Sequence, residues 1–292
     1  MNASARARAE QVIAYYGHMT ENYNAYAEGT FSWHYGIWED DTQSHADALL
    51  NNNRRLVRGA ALGPGDRVLD IGCGVGGFAT WVAAAYGCHV DAITVVGAHV
   101  EEARALADKR RVAHLCTFHE MDMNELDVAA GRYQLITTQE TLMYAEDKRA
   151  FLEGVRRALT PGGRWHAIDM TKKAGPLTAA EEREHRVTCE AWAMTPLWSA
   201  DEVEALAVAV GFVDFRAEDV TARTMPSVRR ILDYCRGADE HIAALESEKL
   251  RATPSLRALA RHVDGGRSYS LGLARGYFRH CCYYTQAPTQ PR

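Results

Sequence analysis

No run of about 18 apolar residues occurs anywhere in the 292-residue chain, so no stretch of it reads as a membrane-crossing helix. Met1 to Glu10 is polar and Arg-bearing with no apolar core behind it, which argues against a secretory leader and makes the cytoplasm the expected location. A basic excess is missing as well. With a net charge of -5, the chain is a poor match for a nucleic-acid backbone as main partner. The seven cysteines form no C-x-x-C pair and no His-spaced zinc pattern, so no metal site is expected. Cys281-Cys282 sits in an apolar, aromatic run and reads as strand filling rather than a disulfide, and reduced thiols fit the cytosol. No internal repeat or low-complexity linker divides the chain, so one elaborated domain is expected.

What is present is apolar material, 47% of residues, enough for a large core. It is organised around Val68-Leu69-Asp70-Ile71-Gly72-Cys73-Gly74-Val75-Gly76-Gly77-Phe78. The apolar run predicts a buried parallel strand, the glycines a turn, and Phe78, Trp81, Val82 and Ala85 a helix stopped by Gly87. Strand, glycine turn and helix form the first unit of an α/β doubly wound, Rossmann-like nucleotide-binding fold. Gly72, Gly74 and Gly77 satisfy G-x-G-x-x-G, a weak signal alone. Asp70 discriminates: a carboxylate here repels a pyrophosphate and suits a cationic ligand. A nicotinamide enzyme would also want an acid near the end of the second strand, where this chain has Thr94.

Asp-x-Gly-x-Gly-x-Gly resembles the first motif of class I S-adenosylmethionine (SAM)-dependent methyltransferases. The resemblance implies SAM as cofactor, a sheet of seven strands with the last antiparallel, and helical lid insertions. Order and spacing of motifs extend it over roughly residues 10–285. The leader Tyr15-Tyr16 … His34-Tyr35-Gly36-Ile37-Trp38 is similar to that of small-molecule methyltransferases related to cyclopropane fatty acid synthases and sarcosine/dimethylglycine methyltransferases. By that likeness Tyr16 touches the amino-acid end of SAM; the aromatic leader is either a lid over the SAM pocket or filling packed on the domain. Thr94 is shared with the cyclopropane-synthase-like subset, but Val96 and His99 replace its Ser and Gln. Thr94 is expected at the ribose; His99 either reaches the ribose or methionine end or is an ordinary helix residue. Asp122 and Met123 follow the third strand, where the resemblance implies an acceptor for the adenine amino group and an apolar wall. Asp70, Gly72, Cys73, Gly74 and Gln139 complete the expected cofactor set.

Gln139-Glu140-Thr141-Leu142-Met143-Tyr144 follows the fourth strand, beside the point where strand order reverses. It resembles the Asn-Glu-Ser-x-Met-Tyr segment of geranyl diphosphate C-methyltransferases. Glu140 is then a carboxylate beside the reacting methyl, able to steady a cation and take its proton, or else a cofactor contact only. Asp169, ending the fifth strand, is a second candidate base, and Tyr16 is also placed with the catalytic group. Trp33, His34, Tyr144, His185, Trp192, Arg223 and Arg229 are the candidate acceptor-binding residues. Arg223, Arg229 and Arg230 would seat a diphosphate, bringing Mg²⁺ with it, unless they merely decorate an exposed helix.

The expected layout is a helical, aromatic lid over 1–60, a SAM-binding core over 61–170, and the rest of the sheet over 171–292 with a helical cap at about 222–272. Residues 8–18, 43–60, 171–198 and 226–263 are expected helical, the last beginning at Pro226. The expected function is methyl transfer to carbon of an isoprenoid or similar small hydrophobic metabolite in secondary metabolism. An O- or N-methyltransferase tailoring a finished natural product is the alternative, and a cyclase or binding module using the pocket a further one. Self-association of the chain is left open.

Overall fold

Arg67–Ile71 forms β1, buried along its length as an unbroken apolar strand of a parallel sheet must be. In this computed structural model, which describes residues 3–243 and 253–289, β1 lies inside a seven-stranded sheet. β2 (His89–Thr94) and β4 (Tyr133–Gln139) flank it in parallel. β3 (Cys116–Glu120) lies beyond β2, and β5 (Leu159–Lys172) beyond β4. β7 (Phe278–Gln286) is inserted antiparallel between β5 and β6 (Val213–Asp219), as expected. The order 3-2-1-4-5-7-6 reverses between β1 and β4, so the carboxyl ends of those strands open a crevice.

Alternation along the strands feeds two cores. Leu69, Ile71, Ile136 and Trp165 pack against α5 (Lys148–Ala158) and α7 (Ala200–Ala209). Val68, Leu135 and Ile168 pack with α3 (Gly77–Tyr86), α4 (Gly97–Lys109) and the end of α2 (His45–Leu56) on the other face. A third cluster draws in α1 (Ala3–Tyr26), α6 (Ala179–Ala191), α8 (Thr221–Ala243) and α9 (Pro254–Arg275). Tyr15, Met19, Trp192, Val228 and Tyr269 meet there around Met143 and Met170, forming the cap.

Several boundaries differ from expectation. The leader helix runs from Ala3 to Tyr26 rather than over 8–18. Residues 171–198 are not one helix: β5 continues to Lys172, and only Ala179–Ala191 is helical, started by a Thr178/Glu181 capping box. α8 begins at Thr221, not Pro226, because Asp219 Oδ1 accepts the Thr221 N–H at 2.9 Å and starts the helix there. Pro226 lies inside that helix and forfeits one backbone bond. Within the helix expected over 226–263, residues 244–252 lie outside the described ones.

Candidate active site

The β1–α3 turn shapes the floor of the crevice. Gly72, Gly74 and Gly76 all take left-handed backbone angles, which favour glycine. At Gly72 a methyl group would also collide with the Thr141 side chain, so the two turns after β1 and β4 interlock only with glycine here. Asp70 is buried, with Oδ1 accepting the Thr137 hydroxyl at 3.1 Å. Its Oδ2 has no partner among the described residues, and burial pushes the carboxyl up to about 7. Asp122 caps a short turn through Oδ1, which accepts the Asn124 N–H at 2.8 Å, and its Oδ2 is likewise unpartnered. Gln139 Nε2 is a third buried atom with no partner. All three residues line one cavity, together with Gly72, Cys73, Gly74, Thr94, His99 and Met123. Orphaned carboxylate oxygens suit a ligand with an ammonium and an amino group, as SAM has, and the residues present fit it.

The leader roofs the cavity. Trp33 and Tyr16 are stacked at 6.3 Å, with Tyr23 stacked on Trp33 at 5.2 Å. Trp33 sits above Gly74, and its Nε1 donates to Asn24 at 3.2 Å. The hydroxyls of Tyr16 and Tyr144 meet at 3.2 Å. Burial pushes the Tyr16 phenol up to about 12, so it stays protonated. His99 lines the cavity, but its Nε2 is engaged at 3.1 Å by Thr20 of α1. Thr20 spends its own proton on the Tyr16 carbonyl, so His99 is the donor in that pair. His99 thus ties the roof to α4, and that nitrogen is not free for a cofactor.

Glu140 stands at the centre. Its φ of 47° is left-handed, a strain of order 1–3 kcal/mol of the kind that gathers at functional sites. Oε1 accepts the Tyr35 N–H at 3.0 Å, and burial raises the carboxyl to about 8. Asp169, expected as a second base, does not line the cavity. It is buried, with Oδ2 accepting the N–H groups of Thr141 and Leu142 at 3.1 and 2.7 Å and Oδ1 that of Met170 at 2.8 Å. It holds the 140–144 turn in place from behind.

The residues expected at the acceptor divide. Trp33, His34, Tyr144 and Trp192 line the cavity. His185 does not: it borders a separate depression and accepts the Leu197 N–H at 2.9 Å, because α6 turns it toward the 192–198 loop. Arg223 is drawn outward into an ion pair with Glu39, and Arg230 pairs with Glu28. Arg229 is exposed on α8, away from the cavity wall. The only Arg or Lys on the described wall is Arg8, ion-paired with Glu146 and bonded to the carbonyls of Ala193 and Met194. Among the described residues no three His, Cys, Asp or Glu side chains converge as a metal site, and no helix is long and apolar enough to cross a membrane.

Sequence comparison decides the family. Residues 68–163 match the model of a methyltransferase domain. The 27-O-demethylrifamycin SV methyltransferase of Amycolatopsis mediterranei (strain S699) is 30% identical over 219 residues, covering 74% of this chain and 80% of that one. The chain belongs to the class I SAM-dependent methyltransferases. Solved structures share the fold of this methyltransferase. The [4+2]-cyclase SpnF superposes with a TM-score of 0.76 at 23% identity, covering 97% of each chain. Geranyl diphosphate C-methyltransferase from Streptomyces coelicolor A3(2) gives 0.71 at 18% identity, covering 98% of this chain and 99% of that one. The enzyme is a SAM-dependent methyltransferase that acts on small molecules.

Sequence reasoning passed over two residues of this methyltransferase's site. Tyr35 supplies the backbone donor to Glu140, a role invisible to side-chain patterns. His280, fully buried on β7, has its Nε2 3.6 Å from Glu140 Oε1. A polar residue in the middle of the apolar strand 277–285 was the signal that could have found it.

Proposed function

We propose that the enzyme methylates a hydroxyl oxygen of a sizeable, uncharged hydrophobic natural product. The observation that carries this reading is the cavity wall: aromatic, and with no cation left unpaired among the described residues. A diphosphate would bring several negative charges to a wall whose described residues offer it only Arg8, already neutralised by Glu146. That wall therefore favours a neutral acceptor over the isoprenoid diphosphate, with its Mg²⁺, expected from the Glu140 segment. A neutral acceptor fits, and the relative acting on 27-O-demethylrifamycin SV supports oxygen as the atom methylated.

SAM, when bound, supplies a methyl group already activated by its sulfonium. The chain's part is to hold and orient. Asp70, Asp122 and Gln139 would take the cofactor's polar ends, and Thr94 and Met123 its nucleoside. The Tyr16–Trp33–Tyr23 stack closes the roof against water. Glu140, on the wall of the same cavity, would take the acceptor's hydroxyl proton.

A second reading, methyl transfer to an uncharged carbon acceptor, is favoured by the same Glu140 beside aromatic faces that steady a cation. The test is an assay with methyl-labelled SAM, offering 27-O-demethylrifamycin SV and geranyl diphosphate, the latter with and without Mg²⁺. Label on an oxygen of the first supports the proposal. Label only in the diphosphate overturns it, and label on carbon of a neutral acceptor selects the second reading.

A further inference from the structure

His280 is a buried titratable group beside the site that the reading above leaves without work. It is 0% exposed, sits on β7 opposite Met170 of β5, and does not line the cavity. Its backbone is held on both sides of α8's start. The Val220 N–H donates to the His280 carbonyl at 2.8 Å, and the His280 N–H to Thr221 Oγ1 at 2.9 Å. The ring is therefore placed by the same Asp219-Val220-Thr221 turn that starts the cap helix.

The proton positions follow from neighbouring bonds. The Tyr269 hydroxyl donates to the Arg279 carbonyl at 2.8 Å, so only its lone pairs face His280 Nδ1, 3.4 Å away. Nδ1 therefore carries a hydrogen. Nε2 then presents a lone pair toward Glu140 Oε1 at 3.6 Å, and it has no other partner among the described residues. Two lone pairs facing each other in a dry interior repel unless a proton lies between them.

We propose that Glu140 and His280 hold one proton between them and work as a two-site relay in which His280 is the final store. This rests on the oxygen-acceptor reading above. A carboxyl that already carries the shared proton cannot take the acceptor's proton by itself. It can do so by passing its own proton inward. As the oxygen–methyl bond forms, the acceptor's O–H bond breaks and its proton goes to the free Glu140 oxygen. The shared proton moves from Oε1 to His280 Nε2. The sulfonium leaves as a neutral thioether, so the positive charge lost there reappears on the imidazole, and charge balances without water entering.

The pair's titration is set by everything that faces it. Tyr35 donates its N–H to Glu140, Asp169 of β5 disfavours the Glu140 anion, and Tyr269 of α9 faces His280. Asp219, at the end of β6, favours imidazolium and is itself ion-paired with Arg279, while His34 lies near enough to oppose it. Burial dominates, raising Glu140 to about 8 and lowering His280 to about 4, so the resting pair is neutral.

The test uses ¹⁵N-histidine-labelled enzyme with S-adenosylhomocysteine, followed by NMR from pH 5 to 9, with Glu140→Gln and His280→Gln as partners. The expected wild-type spectrum shows a protonated Nδ1 on His280. Its Nε2 should shift in a step that coincides with titration of the Glu140 carboxyl and vanishes in Glu140→Gln. A His280 with its proton on Nε2 and a bare Nδ1, or one whose trace is unchanged in Glu140→Gln, overturns the shared proton. His280→Gln should still bind S-adenosylhomocysteine while methyl transfer falls about a hundred-fold; undiminished transfer overturns the relay. The NMR arm needs no acceptor, so a mistaken acceptor atom and a mistaken dyad give separate failures.

Discussion

Asn52 Nδ2 donates to His34 Nδ1 at 3.0 Å, and the orientation of that amide is not free. Asn52 Oδ1 accepts the Ile37 N–H at 3.1 Å, which leaves the NH₂ group facing His34 and the Tyr35 carbonyl. His34 Nδ1 also lies 3.3 Å from the Tyr35 carbonyl, so that nitrogen is held between Asn52 and the carbonyl, while Nε2 is buried with no partner among the described residues. Burial holds the ring down to about 3, so His34 faces the cavity as a neutral imidazole. Replacing Asn52 by Leu removes three hydrogen bonds at a buried position. A loss of about 2–4 kcal/mol in unfolding free energy is expected from denaturant curves, with the His34 signals shifted in the histidine ¹⁵N spectrum.

Cofactor binding should depend on pH through Asp70. Its folded carboxyl lies near about 7, well above the usual carboxylate range, because of burial. A cationic ligand on the open Oδ2 selects the ionised form. SAM affinity should therefore rise with pH up to about 7 and then level off, and binding below that point should release a proton. Calorimetry in buffers of different ionisation enthalpy measures the release directly. Asp70→Ala should abolish both binding and release.

Gly72→Ala and Gly74→Val should fail to bind SAM for different reasons. Alanine at 72 strains a left-handed backbone and strikes Thr141, whereas valine at 74 meets Trp33 of the roof. The double change Gly72→Ala with Thr141→Gly should recover part of the affinity by relieving the collision but not the strain; titration of both proteins separates the two costs.

Glu140→Gln should bind S-adenosylhomocysteine like the wild type and lose at least about 10²-fold in turnover. Asp169→Asn should differ in kind. An amide cannot accept with both ends, so either the Met170 N–H or the Thr141 and Leu142 N–H groups lose their acceptor, at about 1–3 kcal/mol per donor. Turnover should fall with stability while the pH profile keeps its shape. A change in the pH midpoint would instead make Asp169 the titrating base.

The cofactor half of the cavity was legible because its signals are local. Asp70 and the glycines at 72 to 77 lie within eight residues, and Asp122 comes two residues after its strand. The acceptor half was not, because partners far apart in sequence decide it. Arg223 looked free to bind phosphate, yet Glu39, 184 residues away, holds it outside. Asp169 sits at the right place on β5 for a base, but three backbone donors claim its oxygens, and no side-chain pattern announces them. The expected start of α8 at Pro226 followed a sound local rule and lost to an equally local one, the carboxylate cap from Asp219.

The roof helix α1 has a consequence for how the chain is made. Its anchors lie far downstream: Tyr15 bonds His262, 247 residues on, and Arg8 reaches Glu146 and the carbonyls near 193. This helix is therefore synthesised well before its partners and docks only after the sheet and cap have formed. Until then its four tyrosines and the tryptophan-bearing loop after it wait as exposed aromatic surface, and refolding should show α1 docking as the slowest burial step.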